Sequence, residues 1–405
     1  MSRTTVEQAI AALARGKFVL VTDDERRENE GDLILAAEKA TPEMIAFMVR
    51  HTSGVICVPM TGERLNELGL PLMVLENTEA HRTAFTISVD YRPATTTGIS
   101  AADRAATIRA LADPASQTVD FARPGHVFPL RAREGGVLVR PGHTEASIDL
   151  TRAAGLIPAG VLCELVNDDG TMARGPAIAR FGSEHRIPLI TVADVVAHRW
   201  RTEALVTREA EATVPTEWGE FIAVGYRSTF DGSEHVAFVR GEVAGKPDVL
   251  TRVHSECLTG DVFSSRRCDC GDQLREAMRR VAAAGEGVVV YDRRHEGRGI
   301  GLVDKLRAYR LQDEGLDTVE ANLSLGHPAD ARHYGVDAQI LQDLKVESVR
   351  LMTNNPDKIR QLVALGVTVA SREALETAAS PHNELYLATK ARKLGHFLRE
   401  RIEEP

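Results

Sequence analysis

Cys257, Cys268 and Cys270 fall within fourteen residues of this 405-residue chain, in the spacing C-x10-C-x-C. Thiolates so spaced reach one tetrahedral ion, and three protein ligands leave a fourth position open for water. Two other readings stay open. The sulfurs could be buried or redox thiols, and His254, close in sequence, would complete a closed structural site. The cysteines are flanked by residues 252–256 (RVHSE) and followed by HEGRGIG at 295–301, between an apolar run at 288–291 and a helical run at 302–311. The glycine spacing matches neither the P-loop nor the dinucleotide fingerprint. A strand, a glycine turn and a helix N-terminus nevertheless make an anion site, to which Arg298 adds charge. Thr353-Asn354-Asn355-Pro356, then Lys358, repeats the device after a run at 349–352. Two such sites imply a polyphosphate ligand.

The first half carries a different constellation. Residues 23–32 read DDERRENEGD, six carboxylates in ten positions. A solvated hairpin loop is the plain reading. Six like charges nevertheless repel unless a cation or substrate offsets them, and hard cations such as Mg²⁺ take one or two carboxylates. Arg-Pro-Gly-His occurs twice, ending at His126 and at His143, and each Pro-Gly turn places an imidazole on a stiff loop. TGISAADR at 97–104 is a small-residue turn whose N–H groups, with Arg104, could hold a phosphate. Glu164 follows an apolar run at 160–163, where burial could raise its pKa for acid–base work.

These residues need scaffolds. Thr4-x-x-Glu7 and Thr5-x-x-Gln8 both fit a capping box, with Val6, Ile10 and Leu13 on one face and Gly16 as the stop. Runs at 18–21 and 33–37 read as strands around the acidic loop, and Thr41-Pro42 opens a helix with Met44, Phe47 and Met48 on one face. Strands and helices alternate to residue 190, residues 192–206 read as helical, and 209–216 as a polar stretch ending at Pro215. A β-rich region then starts near Trp218, with strands at 221–226 and 235–240. The expected fold class is α/β (α+β layered), with two unrelated mixed-sheet domains, 1–203 and 204–405. Hydrophobic residues make up 43%, charged residues 26%, and the net charge is −9. Such a balance indicates an ordinary globular protein and disfavours a general nucleic-acid binder. No apolar run is long enough to cross a membrane. A start without a signal sequence and an odd number of cysteines point to the cytoplasm.

In the first half, DDERRENEGD, TGISAADR, RPGHVFPLRA, RPGHTEA and VLCELVNDDGTMAR resemble the signature segments of 3,4-dihydroxy-2-butanone 4-phosphate synthase. That family converts ribulose 5-phosphate to its product with loss of C4 as formate. The resemblance implies Mg²⁺ (or Mn²⁺) on Glu28 and His143, and substrate contacts from Arg27, Glu28, Asp32, Arg140, Pro141, Gly142, His143, Thr144 and Glu164. It also makes His126 and Glu164 the proton-transfer residues. Enolisation beside a carbonyl needs a metal to take up oxyanion charge and a base near a C–H, which suits this set. Arg26, where the family has Asp, and Arg82, where Gly is usual, are departures that replace no ligand.

The second half, on RVHSECLTGDVFSSRRCDCGDQL, HEGRGIGL, DTVEANLSLGHPADARHYG, LMTNNPDK and YLATKARKLGH, strongly resembles GTP cyclohydrolase II. That family opens the guanine imidazole ring of GTP, releasing formate and pyrophosphate. The resemblance implies Zn²⁺ on Cys257, Cys268 and Cys270, delivering hydroxide to C8, with Mg²⁺ on the GTP phosphates. GTP contacts would come from Arg252, Val253, His254, Ser255, Glu256, Gln273, Glu296, Gly297, Arg298, Thr318, Thr353 and Lys358. Glu296 suits guanine N–H donors and Lys358 the phosphates. The family assigns Asp330 as proton acceptor, Arg332 as nucleophile and Tyr309 as an active-site tyrosine. A guanidinium has no free lone pair, so a charge clamp suits Arg332 better. Together the halves imply a bifunctional enzyme of riboflavin biosynthesis, a lyase fused to a hydrolase and expected as a homodimer. One rival is a chain with a single working site, the other half being a scaffold; another is a non-catalytic nucleotide sensor.

Overall fold

The computed structural model describes residues 4–25, 27–378 and 380–397, so Arg26 lies outside the described residues. Contacts divide the chain into two units, Met1–Arg199 and Trp200–Pro405.

In the first unit the helix Val6–Ala14 forms its capping box with Thr5 and Gln8, whose side chains each accept the other's backbone N–H. Seven strands follow: β1 (Val19–Thr22), β2 (Gly31–Ala36), β3 (Cys57–Met60), β4 (Val89–Tyr91), β5 (Phe121–Arg131), β6 (Gly160–Glu164) and β7 (Leu189–Thr191). They make one mixed sheet in the order β4-β5-β3-β6-β2-β1-β7. Alternation along the strands sorts the apolar residues into two cores. Leu20, Leu33, Leu35 and Val161 enter one, while Val19, Val21, Ile34 and Leu162 enter the other. A sheet covered on both faces needs unbroken apolar strands, which is why β2 and β6 read as continuous runs.

The second sheet contains β8 (Val206–Thr216), β9 (Gly219–Ser228), β10 (Glu234–Arg240), β11 (Val249–Ser255), β12 (Gly287–Asp292), β13 (Val349–Met352) and β14 (Val369–Glu373). Their order is β14-β13-β11-β12-β10-β9-β8. The half from β14 to β12 is parallel and the half from β12 to β8 antiparallel. In open sheets of this kind ligands gather outside the carboxyl ends of parallel strands. β11, β12 and β13 end at Ser255, Asp292 and Met352, so RVHSE, HEGRGIG and TNNP meet there.

One expectation is corrected. The polar stretch 209–216 is part of β8, paired with β9 along its length and exposed over most of its residues. An edge strand held by backbone pairing on one side buries neither face, so it leaves no alternating pattern. Pro215 is tolerated because an edge can forgo an N–H. Among the described residues, no helix is long and apolar enough to cross a membrane.

Candidate active sites

The acidic loop is organised around Asp23, a residue the sequence reading left without a role. Its carboxylate accepts the backbone N–H groups of Glu28 and Glu30 and a guanidinium N–H of Arg27, each at 2.9 Å. This explains how so acidic a segment folds: one carboxylate is used internally and turns its neighbours outward. Glu28 Oε2 then lies 3.5 Å from His143 Nδ1, and Asp32 Oδ1 lies 3.6 Å from the same nitrogen. Asp23, Glu28 and His143 all offer ligand atoms within 4.8 Å of one another. Asp32 Oδ1 and His143 Nε2 are buried without a hydrogen-bond partner. In strand register Asp32 sits opposite Glu164, whose carboxylate accepts the Ser53 hydroxyl at 2.7 Å.

The electrostatics mark a site missing positive charge. Burial pushes the Asp32 carboxyl up to about 7, with Glu164 and Glu28 adding to the rise against the pull of His143. Burial alone would lower His143, but Asp32, Glu28 and Asp23 hold it at about 9. Burial likewise works against the charge on Glu28, yet His143 and Arg27 keep it at about 2. A cation with ligand distances of about 2.0–2.2 Å can bridge groups so placed and would displace the protons they retain.

Beside this cluster two arginines converge. A Cβ at Gly142 would stand 2.6 Å from Arg140 Nη1 and 2.9 Å from Arg27 Nη2, so a side chain there would push the two guanidinium groups aside. Arg140 is aimed by Glu145 at 2.7 Å and by Thr83 Oγ1 at 3.1 Å. Thr144 is buried in the first turn of the helix His143–Ala153, while Pro141 is exposed. His126 stands apart. Its contacts run to Asp90, which accepts its backbone N–H at 2.9 Å and meets Nδ1 at 2.7 Å, and not to Glu28 or His143. Gly98 packs on this pair at φ +90°, where a Cβ would be 2.0 Å from Asp90 Oδ2.

At the TGISAADR turn the Asp103 carboxylate accepts the Gly98 N–H at 3.0 Å and, just before the turn, that of Thr96 at 3.1 Å, so these two amides are committed. Arg104 instead reaches the Gly54 carbonyl, beside Ser53, at 3.3 Å.

In the second unit the three cysteine sulfurs lie within 4.8 Å of one another, and Cys257 and Cys268 are 3.6 Å apart. A tetrahedral ion with metal–sulfur bonds of about 2.3 Å requires sulfurs about 3.8 Å apart. Gly260 makes the fit, since a Cβ there would approach Cys268 Sγ at 2.9 Å and Cys257 Sγ at 3.1 Å. Hydrogen bonds from Cys268 and Cys270 and the Lys305 ammonium pull the Cys257 thiol far down, while Cys268, bonded to Cys257, rises to about 11. One thiolate thus shares protons that a cation would replace. His254 is not the fourth ligand. Its Nε2 meets both Asp261 oxygens at 3.1 Å, and Asp261 also accepts the Cys257 N–H and the Tyr291 hydroxyl.

A cavity opens onto the sulfurs, lined also by Ser255, Glu256, His295, Glu296, Gly297, Arg298, Lys305, Tyr309, Thr318 and Arg332. A second lobe adjoins it through Ser255, Cys270, Arg298, Arg332 and Tyr386, and adds Arg252, His254, Gln273, Thr353 and Lys358. One lobe therefore holds the thiols and the other is densely cationic. Arg298 Nη1 and Nη2 are buried without hydrogen-bond partners among the described residues. The glycine turn itself contributes less than expected, because the Gly299 and Gly301 N–H groups donate to the Glu296 carbonyl at 2.9 and 3.0 Å. The anion-binding capacity of this turn rests on Arg298.

Glu296 is also committed. Its carboxylate accepts Lys305 Nζ at 2.6 Å and the Leu258 and Gly297 N–H groups at 2.7 and 3.0 Å, which leaves Oε2 one acceptor position at the cavity wall. Lys305, unnoticed in the sequence, is buried and donates to Cys257 Sγ at 3.1 Å. Tyr309 reaches Thr259 Oγ1 at 3.3 Å. Asp330 and Arg332 form an ion pair; burial opposes the charge on Asp330, but Arg332 holds its carboxyl at about 2. Despite burial, Tyr334 and Asp330 keep the Arg332 guanidinium above its ordinary range, so it stays charged. Lys358 Nζ donates to the Val253 carbonyl at 2.6 Å, which is how Val253, its side chain buried, enters the site.

Comparison with known proteins shows the family. Family models match residues 7–198 as 3,4-dihydroxy-2-butanone 4-phosphate synthase and residues 207–374 as GTP cyclohydrolase II. The riboflavin biosynthesis protein RibBA of Salinispora arenicola is 60% identical over 403 residues, covering 99% of this chain and 96% of that protein. The chain belongs to the bifunctional RibBA family. Its Nocardia farcinica relative is 58% identical over 396 residues, 97% of this chain and 96% of that protein. Among solved structures, RibBX of A. baumannii, described as a two-domain 3,4-dihydroxy-2-butanone 4-phosphate synthase, superposes with a TM-score of 0.72 at 35% identity. The match covers 93% of this chain and all of that one. The chain thus combines a lyase and a hydrolase of riboflavin biosynthesis, whose family substrates are ribulose 5-phosphate and GTP.

Proposed function

We propose that residues 1–203 carry the synthase and 204–405 the cyclohydrolase, each working at its cluster. In the first, Arg27 and Arg140, flanking Gly142, bind the sugar phosphate with Thr144 and the Pro141 turn. Glu28 and His143 hold Mg²⁺ or Mn²⁺, which supplies compensation for oxyanion charge during enolisation. Asp32 binds the sugar hydroxyls, and Glu164, opposite it, moves protons. Asp90 fixes the His126 ring and leaves its other nitrogen for proton transfer. Because the contacts of His126 lie away from Glu28 and His143, a homodimer supplying His126 from a second copy is the arrangement we favour.

In the second, Cys257, Cys268 and Cys270 hold Zn²⁺, which supplies Lewis acidity toward water at the purine C8. Lys305 steadies the Cys257 thiolate and is itself held by Glu296, while Tyr309 faces the ring-opening centre. The triphosphate with its Mg²⁺ occupies the cationic lobe against Arg252, Arg298, Arg332, Thr353 and Lys358. A guanidinium this firmly protonated acts as a clamp on the α-phosphate and not as a nucleophile. Once Arg332 turns to phosphate, Asp330 loses the charge that makes it a weak base and can accept a proton. We place the protein in the cytoplasm, in keeping with its free thiols.

The observation that carries this reading is the trio of sulfurs beside a lobe lined with arginine and lysine. Formate release measured separately from ribulose 5-phosphate and from GTP tests it: two activities support it, and one alone defeats it.

A further inference from the structure

The cyclohydrolase family model matches residues 207–374, yet the walls of the cavity continue beyond them. Tyr386 lines both lobes, and Lys390 and His396 line the cationic one. All three belong to residues 380–397, built around the helix Glu384–Leu394.

This segment is fastened to three elements, each of which carries a candidate GTP contact. Lys390 Nζ binds Asp269 Oδ1 at 2.7 Å, and the other oxygen of Asp269, which sits between two of the cysteines, accepts Gln273 Nε2 at 2.6 Å. Lys393 pairs with Asp317, and with Glu320 at 2.9 Å, at the start of the helix that opens with Thr318. The Phe397 N–H donates to the Asn354 carbonyl at 2.8 Å, next to Thr353. One turn before the Lys390 anchor, the Tyr386 ring lies 4.3 Å from Lys390 Nζ and 5.9 Å from the Arg298 guanidinium, at the junction of the lobes. His396 lines the cationic lobe beside the Phe397 anchor. A ring so placed faces cations on two sides and packs them against the site.

Resting on the cyclohydrolase reading, we propose that residues 380–397 form the third wall of the nucleotide site. Tyr386 and His396 are its positioning residues for the polyphosphate of a nucleoside triphosphate, and Lys390 is its anchor. The His396 ring contacts the phosphate tail, and Tyr386 holds Arg298 in line with it. A helix that served only to cover the core would leave nucleotide affinity indifferent to these two side chains.

Lys390 is unsuited to the decisive test, because removing it would strand buried Asp269 without its counter-charge. The test therefore uses Tyr386→Ala and His396→Ala in the full-length, zinc-loaded protein, with exposed His382→Ala as the control. Losing the imidazole contact to phosphate in one variant, or the ring that holds Arg298 in the other, should raise KM for GTP, and Kd by equilibrium dialysis, about tenfold. kcat, zinc content, turnover of ribulose 5-phosphate and the kinetics of the control should stay as in the unmodified protein. His396→Ala should leave the Kd for guanosine, which has no phosphates, unchanged. KM and Kd for GTP within twofold in both variants would overturn the proposal, and so would equal weakening of guanosine and GTP by His396→Ala. If the unmodified chain binds GTP but releases no formate, the cyclohydrolase reading fails, while the comparison of Kd values still decides the wall.

Discussion

The two sites solve opposite electrostatic problems. The first gathers Glu28, Asp32 and Glu164 around a buried histidine and is short of positive charge, so it keeps protons on Asp32 and His143. The second sets Arg252, Arg298, Arg332 and Lys358 around a cavity and is short of negative charge, except at the sulfurs. On the proposed reading, a metal would complete the first by supplying charge, and a polyphosphate would complete the second. An overall charge of −9 describes neither, because binding follows the local field. The comparison also shows why the chain can carry both chemistries: each cluster is built within one unit.

The strongest way to break this comparison is to remove one cation holder at a time. Cys268→Ser should lower formate release from GTP by a factor of about 10³ or more, in keeping with loss of a metal-activated water, and should empty the zinc site. Turnover of ribulose 5-phosphate should persist, and loss of both activities would show that the units depend on each other. Glu28→Gln should do the converse, lowering synthase turnover about 10²-fold or more with the GTP reaction intact, as Mg²⁺ titration of the two formate assays would show. Arg332→Lys keeps the positive charge and loses the planar fork. Pyrophosphate release should fall about 10-fold and not disappear, whereas complete loss with GTP still bound would favour covalent chemistry at the arginine.

A gentler test concerns the second unit alone. Burial and the neighbouring Arg294 hold His333 at about 4, and its Nδ1 accepts the Gly335 N–H at 3.2 Å while its ring stacks on Trp200 at 5.2 Å. A histidine depressed on folding stabilises the fold above its unfolded pKa of about 6.5, and that stability is lost as pH falls toward 4. Thermal unfolding followed by tryptophan emission, from Trp200 and Trp218 of the second unit, should therefore shift to lower temperature between about pH 6.5 and 4. His333→Gln should flatten that dependence by a few degrees.

What the sequence disclosed was what depends on local spacing. The sulfur trio, the Arg-Pro-Gly-His turns and the strand–glycine–helix segments place residues by short connections, and their neighbourhoods follow from a few positions of chain. The partners that set those residues to work come from far away. Asp90 meets His126 and Lys305 meets Cys257, and nothing in their own windows marks them. Tyr386 opens a segment that the sequence does single out, YLATKARKLGH, but the fold alone brings it to a cavity begun at Ser255. The use of the Gly98 amide was illegible for the same kind of reason: Asp103 bends back onto the turn, a choice the small residues allow without announcing it. β8 was hidden because its apolar content is decided by exposure, and edge pairing leaves the pattern polar.

The claim on which all this turns is that the sulfur trio holds the metal that serves GTP and only GTP. Stripping zinc with a thiol-competitive chelator, in the presence of excess Mg²⁺, and following formate from each substrate tests it most directly. GTP deformylation should stop in proportion to zinc lost and return on readdition, with ribulose 5-phosphate turnover steady throughout. Full-speed GTP deformylation by zinc-free protein would contradict it.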